Sequence, residues 1–442
     1  MWLFNQAPKD HLRRAHGFEL TDAFLDHLRL ASVRFNNGGS GSFVSAEGLL
    51  FTNHHVGSDC IQKVSSAQRD YLTEGFSAAA LSEEKPCPDL EINVLVRLED
   101  VTAQIQAGLD PKLPAAEAGR LRRAAMARIE KECAASTGRR CDVVTLYSGG
   151  QYHLYQYKKY TDVRLVFAPE ADAAQFGGDP DNFTFPRYCL DIAFFRAWEN
   201  GKPAQPERYL RWSRGGVQDR ELTFVSGHPG ATGRLLTLAQ LEFSRDLSYP
   251  LIHRRLESLV RVLREFSAPS AEDRRVARDT LLYQENSLKA YIGFLLGLRD
   301  RGLLDRKRRE EQKLRAAVDS NPALQREFGA VWDEVAAAYK QYQSFWKRYL
   351  LLEALNISGS EMFPIARHVL RLAAEKLQPN EQRLREYRDS NLPSVEQEMY
   401  SPAPLHDALE IAVLAEYLRL LQRELGASDP VVVALLDGKT PD

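Results

Sequence analysis

The sequence contains no apolar run approaching 18 residues, and a helix that crosses a bilayer needs about that many. No transmembrane helix is expected. Charge of neither sign is in excess: 58 Lys and Arg stand against 60 Asp and Glu, a net of −2. Bulk electrostatics therefore give no reason to expect nucleic acid or a membrane surface as a partner. The first ten residues lack the apolar core of an export signal. No Cys-x-x-Cys pair and no His-Glu-x-x-His helix occurs, and the ten histidines are scattered apart from His54-His55. No metal site and no cofactor is expected. Asp179 and Asp181 lie two apart in a Gly/Pro-rich turn, where a structural role outweighs metal binding.

What is present suits a chain with more than one core. The 442 residues are 44% apolar and 27% charged, values of an ordinary globular protein too long for one usual domain. Thr21 or Asp22 can cap a helix within residues 9–30 in which Phe24, Leu25 and Leu28 share a face. From about 38 to 236, short β-rich runs alternate with Gly, Pro and Asp turns. Residues 92–98, 143–146, 162–167 and 222–225 are the clearest strands, and residues 112–136 read as a helical insert. After Arg234 the chain becomes poor in Gly and periodic near 3.6, so helices are expected to about residue 425. The aromatic set Trp332, Tyr339, Tyr342, Phe345, Trp346 and Tyr349 has helical spacing and reads as helix packing. Among five cysteines, Cys133 and Cys141 enclose a short polar loop. A disulfide in an oxidising compartment and two free buried thiols both fit.

Residues 38–55 carry the most chemistry. Ser42 to Ser45 and Leu49 to Thr52 read as the arms of a hairpin turned by Ala46-Glu47-Gly48, and His54-His55 follow directly. A histidine just beyond a buried strand is held firmly with one face open, as a general base requires. Trypsin-like proteases place their histidine after such a hairpin. On a continuing strand His54 and His55 would face opposite ways, which leaves His54 a structural role. Asp191 precedes the apolar run Ile192-Ala193-Phe194-Phe195, the setting of a triad aspartate. The order His then Asp is that of chymotrypsin, not of subtilisin or the α/β-hydrolases. The gap of 136 residues between them requires insertions.

Taken together, residues 38–57 and the run Phe176 to Arg187 resemble the bacterial dipeptidyl-peptidase seven and eleven family (serine peptidase family 46). Met1 to Phe4, Ser32 to Phe35, Ser226 to Arg234 and Glu285 to Tyr291, with Gly293, Gly297 and Leu298, extend the resemblance to about residue 310. The resemblance implies a serine exopeptidase with a chymotrypsin-like double β-barrel and an inserted all-α helical domain. It implies that His55 is the general base and Asp191 its orienting carboxylate. Asn182 and Phe183 match an Asn-Trp pair that helps bind the substrate's free α-amino group. Phe183 keeps the apolar wall there but has no indole N–H. Asn286 matches a helical-domain asparagine with the same task. Peptides with a free N-terminus are the implied partners, and the resemblance also allows a homodimer.

The family's nucleophile lies in a Gly-Asn-Ser-Gly-Ser-Pro segment, and no Gly-Asn-Ser-Gly or Gly-Asp-Ser-Gly run occurs here. The expectation is an N-terminal portion of such an enzyme. Residues 1–236 would begin the trypsin-like peptidase domain, and residues 237–442 would be the helical domain, incomplete at its C-terminal end. Met1 matches the family's mature start, so an export signal is expected to have been removed or to lie outside this sequence, with a periplasmic or secreted location. The alternative is a non-catalytic peptide-binding fragment or a decayed homologue. Side-chain preference is not legible, because the residues that decide it lie beyond residue 442.

Overall fold

The computed structural model describes residues 2–110, 112–230, 233–354 and 357–441. Met1, Ala231 and Thr232, which belong to two of the segments matched above, lie outside the described residues. The chain divides into two compact units. The first comprises Met1–Gly178, Thr184–Pro229 and Ile365–Pro404; the second comprises Asp179–Phe183, Gly230–Pro364 and Leu405–Asp442. A division at residue 236 differs from this in three places: Asp179–Phe183 group with the helical unit, that unit begins at Gly230, and Ile365–Pro404 group with the sheet.

The first unit is built on an antiparallel sheet of eleven strands. These are β1 (Ser32–Phe35), β2 (Ser40–Phe43), β3 (Leu49–Thr52), β4 (Phe76–Ser77), β5 (Lys85–Pro86), β6 (Ile92–Asp100), β7 (Arg140–Leu146), β8 (Gln151–Tyr160), β9 (Asp162–Ala168), β10 (Ala193–Glu199) and β11 (Lys202–Pro203). Their order is β4-β9-β10-β3-β2-β1-β6-β8-β7, with β5 beside β9 and β11 beside β10. In β10, Ala193, Phe195 and Ala197 are fully buried while Phe194, Arg196 and Trp198 point away, as the two-residue period of a strand demands. Their inner face packs with Val33, Phe35, Phe43, Leu50, Ile92, Val163 and Leu165.

The hairpin β2–β3 has its second arm at Leu49–Thr52 as the sequence suggests, while its first arm is Ser40–Phe43 and not Ser42 to Ser45. Ser45 Oγ accepts from the N–H groups of Glu47 and Leu49 at 3.2 and 3.1 Å, fixing the turn. Gly48 has φ +70, and a Cβ there would stand 2.8 Å from the Ala197 carbonyl oxygen, so this corner admits no side chain.

Three local expectations need correction. Residues 9–30 form two helices, Lys9–His16 and Asp22–Ala31. Gly17 in left-handed backbone ends the first, and Thr21 caps the second by accepting from Phe24 N–H at 3.2 Å. Residues 222–225 form no strand, because their strand-like composition meets no pairing partner among the described residues. Phe224 instead packs on Phe18 and Phe24. His54 and His55 are not on a strand: they open the helix His54–Lys63, where successive side chains diverge by about 100°.

The helix Ala115–Thr137 covers the far end of the sheet, with Met126 and Cys133 against Cys141, Val143 and Leu154. Two disulfides are present, Cys133–Cys141 and Cys60–Cys87, and Cys189 is free and exposed. Their sequence separations are 8 and 27 residues. By loop entropy, serine pairs at Cys60/Cys87 should cost about 3.5 kcal/mol and those at Cys133/Cys141 about 2.5 kcal/mol. Denaturant unfolding of the two double variants checks that order.

The second unit is helical. Thr237 and Gln240 form a reciprocal capping box at the helix Leu238–Phe243, and Ser270 caps the long helix Ala271–Arg299. Leu259 and Leu263 of Tyr249–Ser267 meet Val276 and Ala277 of that helix and Leu409 and Val413 of Asp407–Leu425. Phe243 packs its ring on Tyr339, Tyr342 and Trp346 of Val331–Glu353 at 5.3–5.5 Å. Those three members of the aromatic stripe are helix packing, whereas Phe345 and Tyr349 are exposed. Among the described residues, no helix is long and apolar enough to cross a membrane.

Candidate active site

Register brings the two candidate triad residues together. Strand β10 pairs antiparallel with β3, with Ala193 opposite Thr52. Residues shortly after Thr52 and shortly before Ala193 must then meet at the same end of the pair. His55 stands three residues past Thr52, and Asp191 two before Ala193. Thr52 Oγ1 donates to the Ser40 carbonyl at 2.7 Å and fixes that end of β3. Gly57 lets the helix His54–Lys63 lie directly on the sheet, since a Cβ there would stand 2.7 Å from the Phe195 ring.

The resulting geometry is tight. His55 Nδ1 lies 2.8 Å from Asp191 Oδ2. The His55 main-chain N–H donates to Asp191 Oδ1 at 3.1 Å, so the carboxylate also receives an N–H of the helix's first turn. The His55 side chain is 59% exposed and that of Asp191 26%. Burial acts to raise the Asp191 carboxyl, but His55 hydrogen bonds and charge, with the Asn53 amide, outweigh it and hold the group below the usual carboxylate range. An ionised Asp191 accepts a hydrogen bond from Nδ1–H of a neutral imidazole and leaves Nε2 as the acceptor. His54, beside it, is buried.

The far end of the helix is tied down as well. Cys60 bonds to Cys87, and Lys63 Nζ lies 2.9 Å from Asp59 and 2.8 Å from Asp89. Burial opposes the Lys63 charge, yet the two carboxylates prevail and raise its pKa. Sequence reasoning missed the Cys60–Cys87 link and Asn53. The first has no sequence signal, because pairing among five cysteines depends on the fold; the second had one, an asparagine directly before a helix.

In the helical unit, Asn182, Phe183 and Asn286 also come together. Asn182 Nδ2 donates to Asn286 Oδ1 at 2.9 Å. Lys289, one turn beyond Asn286, donates Nζ to the carbonyls of Asp179 and Pro180 at 2.5 and 3.1 Å, which seats the Asp179–Phe183 segment on the helix Ala271–Arg299. Phe183 has φ +63 and an exposed ring. His55 and Asp191 belong to the sheet unit, and these three residues to the helical one. Among the described residues, no group of three or more His, Cys, Asp or Glu is placed to hold a metal ion.

Known proteins are similar to this chain in sequence and in fold. A family model described as Peptidase S46 matches residues 1–442. Dipeptidyl-peptidase 7 of Porphyromonas endodontalis is 28% identical over 463 residues, covering 99% of this chain and 54% of the relative. An Asp/Glu-specific dipeptidyl-peptidase of Shewanella putrefaciens is 28% identical over 365 residues, covering 80% of this chain and 49% of the relative. The crystal structure of Porphyromonas endodontalis DPP11 with the dipeptide Arg-Glu matches with a TM-score of 0.74 at 24% identity, covering 99% of this chain and 66% of that one. The chain spans about half the length of the curated relatives it matches.

Proposed function

Residues 1–442 belong to the Peptidase S46 family, and from that premise we propose that they supply the base, its orienting carboxylate and the amino-terminal anchor of a serine-type dipeptidyl aminopeptidase. The observation that carries this reading is the 2.8 Å contact between His55 Nδ1 and Asp191 Oδ2. In this reading residues 1–236 are the N-terminal part of a chymotrypsin-like peptidase domain, and its strands belong to a double β-barrel. Residues 237–442 supply the helical domain, apart from Ile365–Pro404, which group with the sheet. The nucleophilic serine and its oxyanion donors lie outside residues 1–442.

The chemistry is acyl transfer. His55 Nε2 takes the serine proton as its oxygen attacks the scissile carbonyl, and Asp191 stabilises the imidazolium that forms. His55 then gives the proton to the leaving amine, which leaves an acyl-enzyme. Water, deprotonated by the same nitrogen, releases the dipeptide. Asn182 and Asn286 offer side-chain carbonyl oxygens to the substrate ammonium, and Phe183 supplies an apolar wall. The relatives' names, dipeptidyl-peptidase 7 and Asp/Glu-specific dipeptidyl-peptidase, support peptides with a free N-terminus as substrates. The two disulfides support a periplasmic or secreted location.

The test compares peptides with free and blocked N-termini in a chain continued through a Gly-x-Ser-Gly segment. Asn286→Ala should lower kcat/KM on free peptides by roughly tenfold or more, the loss of one charge-assisted hydrogen bond, and leave any cleavage of blocked peptides unchanged. Equal losses on both would remove Asn286 from the anchor. A second reading, a non-catalytic peptide-binding module, is favoured by the absence of a Gly-Asn-Ser-Gly or Gly-Asp-Ser-Gly run within residues 1–442. Peptide binding without dipeptide release by the continued chain would select it.

A further inference from the structure

Asn53 stands at the N-cap of the helix His54–Lys63, in extended backbone with φ −67 and ψ 148. An asparagine there ordinarily turns its side-chain oxygen onto the N–H groups of the first helical turn. Asn53 makes no such bond. Its amide nitrogen donates to Asp191 instead, at 3.1 Å to Oδ2 and 3.3 Å to the main-chain oxygen. Asp191 does the capping, since its Oδ1 accepts the His55 main-chain N–H at 3.1 Å. Two side-chain donors, Asn53 Nδ2 and His55 Nδ1, therefore converge on Oδ2, while Oδ1 faces the helix.

We propose that Asn53 is a positioning residue of the His55–Asp191 pair, its amide locking the carboxylate in the one rotation that serves both the helix N–H and the imidazole. The inference rests on the reading of His55 as the base. The torsion of an aspartate carboxylate is broad and soft, so the plane of Asp191 needs fixed donors on more than one side. Asn53 spans both the side chain and the main chain of Asp191, which also fixes the start of β10 relative to the end of β3. A donor on the carboxylate favours its ionised form, and the ionised form selects the imidazole tautomer in which Nε2 accepts.

A role in helix capping and a role in positioning are separable at this residue. Serine caps helices as well as asparagine and brings no second negative charge beside Asp191, but its hydroxyl stops near the position of the asparagine Cγ, short of Asp191 Oδ2. The readout is the proton NMR resonance of His55 Nδ1–H and its exchange with water, recorded on residues 1–442 and assigned by its loss in His55→Gln. No substrate or nucleophile is required. The wild-type chain should show a protected downfield resonance. Asn53→Ala and Asn53→Ser should both exchange that proton about tenfold or more faster, as expected for the loss of one charge-assisted hydrogen bond. The Tm of Asn53→Ser should stay close to the wild-type value. Wild-type exchange rates in both variants would overturn the proposal alone. Loss of the resonance in Asn53→Ser with a parallel fall in Tm would assign Asn53 to folding and overturn it too. Absence of the resonance from the wild-type chain would overturn the His55–Asp191 pairing and the base reading with it.

Discussion

Replacing His55 by alanine in a chain continued through a Gly-x-Ser-Gly segment is expected to lower kcat/KM for dipeptide release by roughly 10⁴-fold or more. Residues 1–442 by themselves are expected to release no dipeptide. Both outcomes follow from what the His55–Asp191 pair can do alone. In the proposed mechanism Asp191, 2.8 Å from His55 Nδ1, fixes the tautomer and His55 accepts a proton, but without a nucleophile and oxyanion donors the pair can at best activate water. The absent groups supply most of the rate enhancement in this kind of chemistry. Dipeptide release from a fluorogenic substrate, measured for residues 1–442, the continued chain and its His55→Ala variant, decides the matter. Activity of residues 1–442 that survives loss of His55 would overturn the mechanism and the role of His55 together.

The parts of this arrangement that were legible in sequence are those fixed by short-range pattern. The apolar run Leu49 to Thr52 behind a Gly turn, and the aspartate before Ala193, each lie within a few residues of a strand end, and strand register does the rest. Thr21 before an amphipathic run is a cap signal, and it caps. His54 and His55 read as strand in the sequence because the face their helix buries, His54, Gly57, Ser58 and Ile61, has helical spacing but carries one large apolar side chain, too little for an apolar period. Asn53 gave the start signal for that helix, yet its side chain is committed elsewhere. The return of Ile365–Pro404 to the sheet unit had no local signal at all. That stretch is as helical in composition as its neighbours. It is held by polar contacts with residues far away in sequence: Ser394 to Glu91 at 2.8 Å, Ser401 to Asp89 at 2.9 Å and Arg388 to Glu130 at 2.9 Å.

The last of these contacts should dominate the stability of the sheet unit. Arg388 and Glu130 have side chains 2% and 1% exposed. Glu130 Oε1 also accepts the Val143 N–H at 2.9 Å, so the ion pair joins the helix Ala115–Thr137, strand β7 and the returning segment. Burial raises the Glu130 pKa above the ordinary carboxylate value, against the pull of Val143 and Arg388. Desolvation is thus already costly with the partner present. Arg388→Met leaves the carboxylate buried without its cation, and such a break costs about 3–5 kcal/mol. For a unit of this size that is a fall in Tm on the order of 10 °C. The deficit should depend on pH. A carboxyl whose folded pKa is raised binds its proton more tightly in the folded state, so the fold gains stability as pH falls toward the unfolded pKa and loses it as pH rises through the folded one. The variant should therefore recover part of its loss between about pH 8 and pH 5. Glu130→Gln in the same background, which can still accept from Val143 N–H, should restore stability at pH 8 and remove the pH dependence. Thermal unfolding of the single and double variants at both pH values measures this. An Arg388→Met chain as stable as wild type at pH 8 would show that the pair contributes nothing to holding the returning segment on the sheet.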